Sequence, residues 1–482
     1  MSKPTTLGAL KKDGYITKSV KEELRANLIT AMQSGSEVFK GIIGYDDTVI
    51  PDIQRAILAK HNINLLGLRG QAKTSIARAM VDLLDEYIPA VEGSSLMEDP
   101  FNPILEETKN RIAELGDATP ISWIHRSDRY TEKLATPDVS VADLIGDIDP
   151  IKAANKKLSY DDERAIHYGL IPRSNRGIFV INEIPDLQPR IQVALFNILQ
   201  EGDIQIRGFK IRLPLDVQFI FTANPEDYTN RGSIITPLKD RIQSQIMTHY
   251  PVNMEDAKRI TGDQAEVVED QLERIHVPEL LKDLIEEIVF EARKSEFVDQ
   301  KSGVSTRLGI SAYECLMAGV ELRMIKTSEK TTNARISDLL SVIPAITGKI
   351  ELVYEGEQEG AIQVAHSLIR NAIRSHYSTL YPSPEKLQSK NAHSPYHELV
   401  SWFSNNQFEL GNQVSDEEYR SAFAKVSPLN DLISVYQPGL NAEMEALHCE
   451  FVLHALAEFS LISKKGIDGK TSFNDMLNAM LN

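Results

Sequence analysis

Short apolar runs alternate with amphipathic stretches over the first half of the chain. The runs with the length and composition of buried strands are residues 63–66, 121–124, 178–181, 217–222 and 246–250. Strands that alternate with helices predict a parallel sheet covered on both faces by helices. We therefore expect an α/β core with a parallel sheet over residues 41–252.

The flanking parts of the chain have helical patterns. Residues 1–40 are predicted to form a helical lead-in, with Val20, Leu24, Leu28 and Met32 spaced along one face. Beyond Pro251 the apolar residues recur with helical spacing, and strand signals become rare. A second, all-helical part is therefore predicted, and it extends to residue 482.

Composition narrows the function classes. The chain has 482 residues, which predicts two or three domains, and a net charge of −17, which disfavours a broad surface for nucleic acid. It has no apolar run of about 18 residues, and residues 1–12 are polar, so we expect a cytoplasmic protein with no membrane partner. Cys315 and Cys449 lie far apart in sequence, which predicts core thiols and not a zinc site or disulfide framework.

A glycine-rich turn follows the first predicted strand. Residues 67–74 read GLRGQAKT and precede a helix-compatible stretch. Such a turn points backbone N–H groups and the positive end of a helix at one anion, and Lys73 adds a mobile charge. This context predicts a phosphate-binding loop for a nucleotide. The predicted binding residues are Gly67, Leu68, Arg69, Gly70, Gln71, Ala72, Lys73, Thr74 and Ser75.

One position in this loop departs from the usual pattern. Glycine usually precedes the lysine, and Ala72 stands there in this chain. Alanine fits if the residue has helical dihedral angles. The alternative for the whole segment is a strand-to-helix turn with a surface lysine.

Two polar residues end the predicted strand 178–181. An acidic residue at the end of such a strand helps to hold Mg²⁺ in P-loop ATPases, and a neighbouring glutamate polarises the attacking water. Glu183 fits the glutamate role, and Thr74 would ligate Mg²⁺ through its hydroxyl. Asn182 stands where an aspartate is more usual, and its amide brings no negative charge to the metal. The alternative is a surface glutamate that caps a strand.

The strand 217–222 ends near Asn224, whose amide could orient a nucleophilic water. Together with the loop and Glu183, this element resembles an AAA+ ATPase, and Asn224 matches the first sensor of that family. The resemblance implies bound ATP and Mg²⁺, a P-loop sheet, a helical lid over residues 253–326 and a separate helical region over 327–482. Taken without the other elements, Asn224 followed by Pro225 is a turn signal.

Three arginines resemble the residues that complete such a site. The segment around Arg241 resembles the arginine finger that one subunit presents to the nucleotide of the next, and Arg231 is a second candidate for that role. Arg307, at the start of a helix, resembles the second sensor, which would couple the lid angle to the nucleotide state. For each of them a local ion pair is the alternative.

Two insertions narrow the resemblance. Residues 143–172 look like a helix-2 insert, and residues 202–214 carry a hairpin signal around Arg207 and Gly208. Both are similar to features of the magnesium chelatase ATPase subunit and MoxR-type ATPases, over roughly residues 40 to 325. This resemblance implies a ring, expected to be a hexamer, and a protein partner that could carry a von Willebrand factor A domain.

Several functions are compatible with these patterns. The leading hypothesis is a Mg²⁺-dependent ATPase motor that remodels a partner protein. The second is a regulatory scaffold that binds ATP and hydrolyses it weakly or not at all, which Ala72 and Asn182 motivate. An enhancer-dependent transcription activator ranks last, because the chain lacks the Gly-Ala-Phe-Thr-Gly-Ala loop. A chelatase role rests on the resemblance only.

Overall fold

The computed structural model describes residues 3–156, 163–206, 212–225, 233–385, 394–467 and 469–476. The chain divides into two compact units, Met1–His249 and Tyr250–Asn482. The first is an α/β unit, and the second is mainly helical.

The first unit is built on a five-stranded sheet in which every pair of neighbours is parallel. In spatial order the strands are β11 (Ser244–Met247), β1 (Ile63–Leu66), β10 (Val217–Ala223), β7 (Gly177–Asn182) and β4 (Tyr130–Leu134). Because the strands are parallel, all their carboxyl ends lie at one edge. The predicted parallel sheet is confirmed, and its carboxyl edge is where a nucleotide site is expected.

Both faces of this sheet are buried. In β7, Phe179 and Ile181 belong to one hydrophobic core, while Ile178 and Val180 belong to another. A strand that is buried on both faces reads as a continuous apolar run, because successive side chains point to opposite sides. This explains why the sequence pattern identified the central strands.

The predicted lead-in helix, Val20–Ser34, covers one face of the sheet. It begins with a capping box, which satisfies two backbone N–H groups at its start. Val20, Leu24 and Leu28 are buried in the core that also contains Ile178 and Val180. Met32, on the last turn, is half exposed.

The strand predicted at 121–124 does not join the central sheet. It forms β3 (Ile121–His125), which pairs antiparallel with β2 (Tyr87–Val91). The predicted strand is present, but its predicted place in the parallel sheet was wrong, and the edge strand of the sheet is β4 instead. An edge strand has one neighbour, so β4 carries polar and partly exposed residues (YTEKL) that do not read as a buried run.

The insertions between the strands form short antiparallel pairs. In the first, β5 (Gly146–Ile148) pairs with β6 (Ile166–Tyr168). In the second, β8 (Asp203–Gln205) pairs with β9 (Arg212–Pro214), which are the arms of the predicted hairpin. The turn around Arg207 and Gly208 lies outside the described residues.

Helices connect and cover these strands. Those described in the first unit are Leu7–Lys12, Val20–Ser34, Val49–Leu58, Lys73–Ala79, Glu106–Leu115, Val141–Leu144, Pro150–Lys156, Leu170–Arg173, Pro189–Ala194, Phe196–Glu201 and Thr236–Lys239.

The second unit is mainly helical around its own core. Its described helices are Met254–Gln264, Glu269–Arg274, Glu279–Lys294, Arg307–Thr327, Ile343–Thr347, Tyr354–Glu359, Ala361–Leu380, His397–Asn405, Asp416–Phe423, Ser427–Tyr436 and Ala442–Glu458. The helix Ala442–Glu458 is buried on every side between Ala446 and Leu456, so this stretch has no solvent-facing polar side. No helix of the described residues is long and apolar enough to cross a membrane.

The second unit also contains strands that the helical pattern does not reveal. A three-stranded antiparallel sheet has the order β14 (Phe408–Gly411), β16 (Lys470–Asn474) and β15 (Ser463–Ile467). A short parallel pair joins β12 (Ile275–His276) to β13 (Thr332–Asn333). These strands are short and mostly polar, which gives them little hydrophobic signal.

Candidate functional site

The glycine-rich loop connects β1 to the helix Lys73–Ala79 at the carboxyl edge of the sheet. A Cβ atom on Gly67 would lie 1.9 Å from Thr248 Oγ1 and 2.2 Å from Gln71 Oε1, so only glycine fits without displacing them. The Thr248 hydroxyl donates to Gln71 Oε1 at 2.8 Å, and both side chains are buried. The loop is therefore fastened to the chain that follows β11.

Tyr45 fastens the loop a second time. Its buried hydroxyl lies 3.1 Å from the carbonyl oxygen of Gln71 and 2.6 Å from that of His249. Its ring packs edge-on against the His249 imidazole at 4.9 Å. Two independent anchors give the loop a fixed shape before any ligand arrives, which lowers the ordering cost of binding.

Ala72 does not have the helical dihedral angles with which alanine would fit this position. It adopts φ +55° and ψ +14°, which is the left-handed region, immediately before the helix. The condition under which alanine fits is therefore not met, because the chain turns sharply there to start the helix. A residue with a Cβ in this region costs about 1–2 kcal/mol, which is why glycine is usual at the position.

Lys73 is the buried cation of the loop. Its ammonium donates to the carbonyl oxygens of Gly67 and, at 3.0 Å, Leu68, and to Asn224 Oδ1 at 2.7 Å. The side chain is 7% exposed. The ammonium is thus held at the mouth of the loop by uncharged oxygen atoms, which an anion of higher charge can replace.

Asn224 joins the lysine to the predicted catalytic glutamate. Its Nδ2 donates to Glu183 Oε2 at 2.7 Å, while its Oδ1 accepts from Lys73. Asn224 follows β10, Glu183 follows β7 and Lys73 follows β1 through the loop. These are three neighbouring strands of the sheet. The structure therefore brings together residues that lie far apart in sequence, as the pattern predicted.

Glu183 itself has an unusual backbone conformation. It has φ +56° and ψ +47°, directly after the last residue of β7. Left-handed glutamate persists only where its surroundings hold it, and such residues cluster at functional sites. The Glu183 N–H donates to Thr222 Oγ1 at 3.1 Å, which is one of the contacts that hold it.

Asn182 is the last residue of β7, and both ends of its side chain are bonded. Its Nδ2 donates to Glu132 Oε1 at 2.6 Å, and its Oδ1 accepts from Thr222 Oγ1 at 3.1 Å. Sequence reasoning missed Glu132, because it lies on the edge strand that the hydrophobic pattern did not identify. No motif marks it, and only the pairing of β4 with β7 reveals it.

The residues of the loop and of the neighbouring strand ends fit a nucleoside triphosphate with Mg²⁺. The close contact at Gly67 shapes a concave backbone turn, and Gly70 has φ +73°, a conformation that favours glycine. Lys73 supplies the cation. For the metal, Thr74, Asn182 and Glu183 offer hydroxyl, amide and carboxylate oxygens, the donors that Mg²⁺ prefers together with nucleotide phosphates.

The predicted arginines lie in different places. Arg241 follows the helix Thr236–Lys239, where it donates to Gln200 Oε1 at 3.0 Å and stacks over Phe196 at 4.8 Å. Arg307 is exposed and is the first residue of the helix Arg307–Thr327 in the second unit. Arg231 lies outside the described residues. The catalytic roles of these arginines stay predictions.

Comparisons with known proteins bear on the same region. A family model described as the Sigma-54 interaction domain matches residues 154–246. The chain is 27% identical over 212 residues to the chloroplastic magnesium-chelatase subunit ChlI of Chlamydomonas reinhardtii, across 42% of this chain and 46% of that protein. It is 28% identical over 194 residues to the magnesium-chelatase 38 kDa subunit of Cereibacter sphaeroides, across 40% of this chain and 52% of that protein.

The chain is similar to magnesium-chelatase subunits over about four tenths of its length. The resemblance predicted from its motifs is thereby confirmed. The chain spans about half the length of the curated relatives it matches. A solved complex of the BchI and BchD subunits of magnesium chelatase is 19% identical, with a TM-score of 0.34, across 67% of this chain and 98% of that chain.

Proposed function

We propose that this protein is an AAA+ ATPase that binds and hydrolyses ATP with Mg²⁺ and uses the energy to remodel or mature a partner protein. The observation that carries the proposal is the hydrogen-bonded chain from Lys73 through Asn224 to Glu183 at the carboxyl edge of the sheet. A phosphate-binding cation, a polar sensor and a carboxylate base are the groups that phosphoryl transfer to water requires.

Binding begins at the loop. The N–H groups of residues 67–75 and the Lys73 ammonium would surround the terminal phosphates of ATP. Lys73 would exchange its bonds to the carbonyl oxygens of Gly67 and Leu68 for bonds to phosphate oxygens. The phosphate oxygens carry negative charge, whereas the carbonyl oxygens that they would replace are uncharged, so the exchange adds attraction between opposite charges.

Hydrolysis would use Asn224 and Glu183, which continue the hydrogen bonds that begin at Lys73. The Glu183 carboxylate would accept a hydrogen bond from the attacking water, and the Asn224 amide would orient that water in line with the bond that breaks. The water oxygen would form a bond to the γ-phosphorus and pass a proton to the Glu183 carboxylate, while the bond to the leaving ADP oxygen breaks. Mg²⁺, held by Thr74 with Asn182 and Glu183, would offset the charge of the phosphates.

Assembly would complete the site. We infer that Arg241 acts in trans as the finger, with Arg231 as the second candidate, which requires a ring, expected to be a hexamer. Arg307 would contact the nucleotide from a lid over residues 253–326 and couple hydrolysis to lid movement. Loss of a finger arginine is expected to lower the rate by about 10³-fold or more.

We expect the partner to be a protein that receives the movement driven by hydrolysis. A von Willebrand factor A domain is the partner class that the family resemblance implies. Residues 327–482 form a region that we propose for partner contact. A cytoplasmic location fits this role and is part of the same proposal.

A regulatory scaffold is the second candidate. Asn182 brings no charge to the metal, and Ala72 occupies a position that favours glycine. Both features would lower turnover while leaving a phosphate-binding loop intact. The match to the Sigma-54 interaction domain does not favour a transcription activator, since the chain lacks the Gly-Ala-Phe-Thr-Gly-Ala loop.

The test is phosphate release by the wild type, Glu183→Gln and the control Glu106→Gln, with ATP binding measured in parallel. Glu106 is an exposed helix residue that pairs with Lys109. We expect Mg²⁺-dependent release by the wild type and the control, and a loss on the order of 10²-fold or more for Glu183→Gln. Equal background rates in all three proteins, with ATP still bound, would favour the scaffold. Light scattering with and without ATP and Mg²⁺ tests the ring.

A further inference from the structure

Glu132 lies on the edge strand β4, and its carboxylate contacts the neighbouring strand β7 and the helix Lys73–Ala79 of the proposed ATPase site. One oxygen, Oε1, accepts from Asn182 Nδ2 at 2.6 Å. The other oxygen, Oε2, accepts from the Tyr130 hydroxyl at 3.0 Å and from Arg78 Nη2 at 3.0 Å. The side chain is 22% exposed, whereas that of Arg78 is 65% exposed. The two carboxylate oxygens therefore serve different partners.

This contact fixes which way the Asn182 amide points. An ionised carboxylate can only accept hydrogen bonds, so the amide must turn its NH₂ group toward Glu132. Its oxygen then faces β10, where it accepts from the Thr222 hydroxyl at 3.1 Å. Asn182 and Thr222 are both buried, so water does not compete for these bonds.

The assignment of hydrogen-bond donors and acceptors extends to the backbone of Glu183. Because the Thr222 proton is committed to Asn182, the Thr222 oxygen is free to accept, and it takes the Glu183 N–H at 3.1 Å. Glu183 is the residue that needs support, since its φ is +56°. Glu132, Asn182, Thr222 and Glu183 thus form one series of hydrogen bonds across three adjacent strands, and it ends at the backbone N–H of Glu183, the residue that carries the proposed catalytic carboxylate.

We propose that Glu132 is a positioning residue that sets the orientation of Glu183 through Asn182 and Thr222. The proposal rests on the ATPase function above and deepens it. It also accounts for the asparagine at 182: an aspartate there would face the Glu132 carboxylate at the 2.6 Å that now separates a donor from an acceptor. In this chain the negative charge stands on the neighbouring strand, and the residue at 182 must be able to donate.

An ion pair with Arg78 is the competing explanation for Glu132. It makes a different prediction, because Arg78 contacts only Oε2 among the bonds described above. If the ion pair were what matters, Arg78→Gln would reproduce the effect of Glu132→Gln. If the orientation of Asn182 matters, Arg78→Gln would leave the hydrogen bonds from Asn182 through Thr222 to Glu183 intact.

A double-mutant cycle tests the proposal with Glu132→Gln, Asn182→Asp, their combination and Arg78→Gln. Thermal unfolding without nucleotide, affinity for a fluorescent ATP analogue, kcat and KM are measured for each protein. Glutamine at 132 can donate to an aspartate at 182 while its oxygen still faces Tyr130 and Arg78, so the combination restores a donor–acceptor pair. Asn182→Asp leaves two acceptors facing each other, and Glu132→Gln can accept from Asn182 Nδ2 only by turning its own NH₂ group toward the Arg78 donor.

We expect Glu132→Gln to lower kcat at least about tenfold with KM within about twofold, since the loop is untouched. Asn182→Asp is expected to lower both kcat and Tm. The double variant is expected to recover both, to within about threefold of the wild-type kcat, so the effects are not additive. Arg78→Gln is expected to stay within about twofold of the wild type in kcat.

Two failures are distinguishable. In the first, the wild type hydrolyses ATP, and either the changes in Tm and kcat at residues 132 and 182 are additive or Asn182→Asp is as active as the wild type. This result overturns the role of Glu132 only. ATP binding without turnover by the wild type overturns the ATPase proposal, and the role of Glu132 in positioning a catalytic group falls with it. A Tm coupling between residues 132 and 182 would then remain as a structural contact.

Discussion

A buried ion pair holds the edge strand of the sheet, and breaking it gives a sharp prediction. Arg129 directly precedes β4, and its Nη1 and Nη2 donate to the two carboxylate oxygens of Glu23 at 2.7 and 2.6 Å. Its Nε donates to the carbonyl of Arg176, directly before β7. The two side chains are 1% and 4% exposed. The pair therefore joins the helix Val20–Ser34 to the strand that carries Glu132.

The cost of Glu23→Gln follows from these bonds. Glu23 Oε1 accepts from both Arg129 and the N–H of Asp85, and Oε2 accepts from Arg129. Glutamine has one acceptor oxygen, so its NH₂ group must face a donor, and the arginine charge is left without its counter-charge. Removing one partner of a buried pair costs about 3–5 kcal/mol. For a unit of this size each kcal/mol lowers Tm by about 2–4 °C, so we expect a loss of about 6–20 °C.

The chain offers a built-in assay, because it has two tryptophans. Trp123 lies in the first unit and Trp402 in the second. In a Trp402→Phe background, the fluorescence of Trp123 reports unfolding of the first unit. Combining Glu23→Gln with Arg129→Met should cost less than the sum of the single changes, with a coupling of about 0.5–3 kcal/mol.

The surface pair Glu106–Lys109 is the matched control, at 2.9 Å with both side chains largely exposed. Glu106→Gln should change the stability by less than about 1 kcal/mol. If Glu23→Gln shifts the Trp123 transition no more than this control does, the pair does not hold the edge strand as described.

Three further predictions concern the loop and the sheet. Ala72→Gly should leave the free energy of unfolding unchanged or raise it. The reason is that relief of about 1–2 kcal/mol of left-handed strain exceeds the roughly 0.4–1 kcal/mol of added freedom in the unfolded chain. A decrease of about 1 kcal/mol in the free energy of unfolding, measured in urea, would instead indicate helical dihedral angles at residue 72. Gly67→Ala should weaken ATP binding at least about tenfold, measured by calorimetry, because its Cβ would lie 1.9 Å from Thr248 Oγ1; unchanged affinity would show that the loop is not held there. Burial raises the pKa of Asp216 from its ordinary value of 3.8 to about 6. Since the folded pKa is the higher one, this group's contribution to stability is full below about pH 4 and is lost as the pH rises to about 6, by roughly 3 kcal/mol. The wild type should therefore lose more stability than Asp216→Asn over this range, and parallel pH profiles would contradict the assignment.

The sequence predicted the parts of the fold that depend on burial from both sides. The strands around Phe179 and Phe219 read as apolar runs because each face of the sheet is covered. The loop, Glu183 and Asn224 were predicted as a site because the carboxyl ends of parallel strands meet at one edge. The comparisons confirm the family resemblance, while the roles of these residues stay predictions.

The rest could not be predicted because it depends on three-dimensional pairing. Glu132 lies on an edge strand with a polar sequence, so neither periodicity nor motif marks it. The left-handed conformation of Ala72 follows from how the loop enters the helix, which composition does not encode. The sheet formed by Phe408–Gly411 and Lys470–Asn474 joins segments separated by a buried helix, a long-range contact with no local signal.

The central claim is that Lys73 grips the terminal phosphates of a nucleotide. Isothermal titration of the full chain with ATP, beside Lys73→Ala, tests it directly. We predict a clear binding signal for the wild type and a loss of at least about a hundredfold in affinity for the variant, consistent with about 1.5–3 kcal/mol for each bond to a charged group that is lost. Equal affinity of the two proteins for ATP, or no binding by the wild type, would contradict the account.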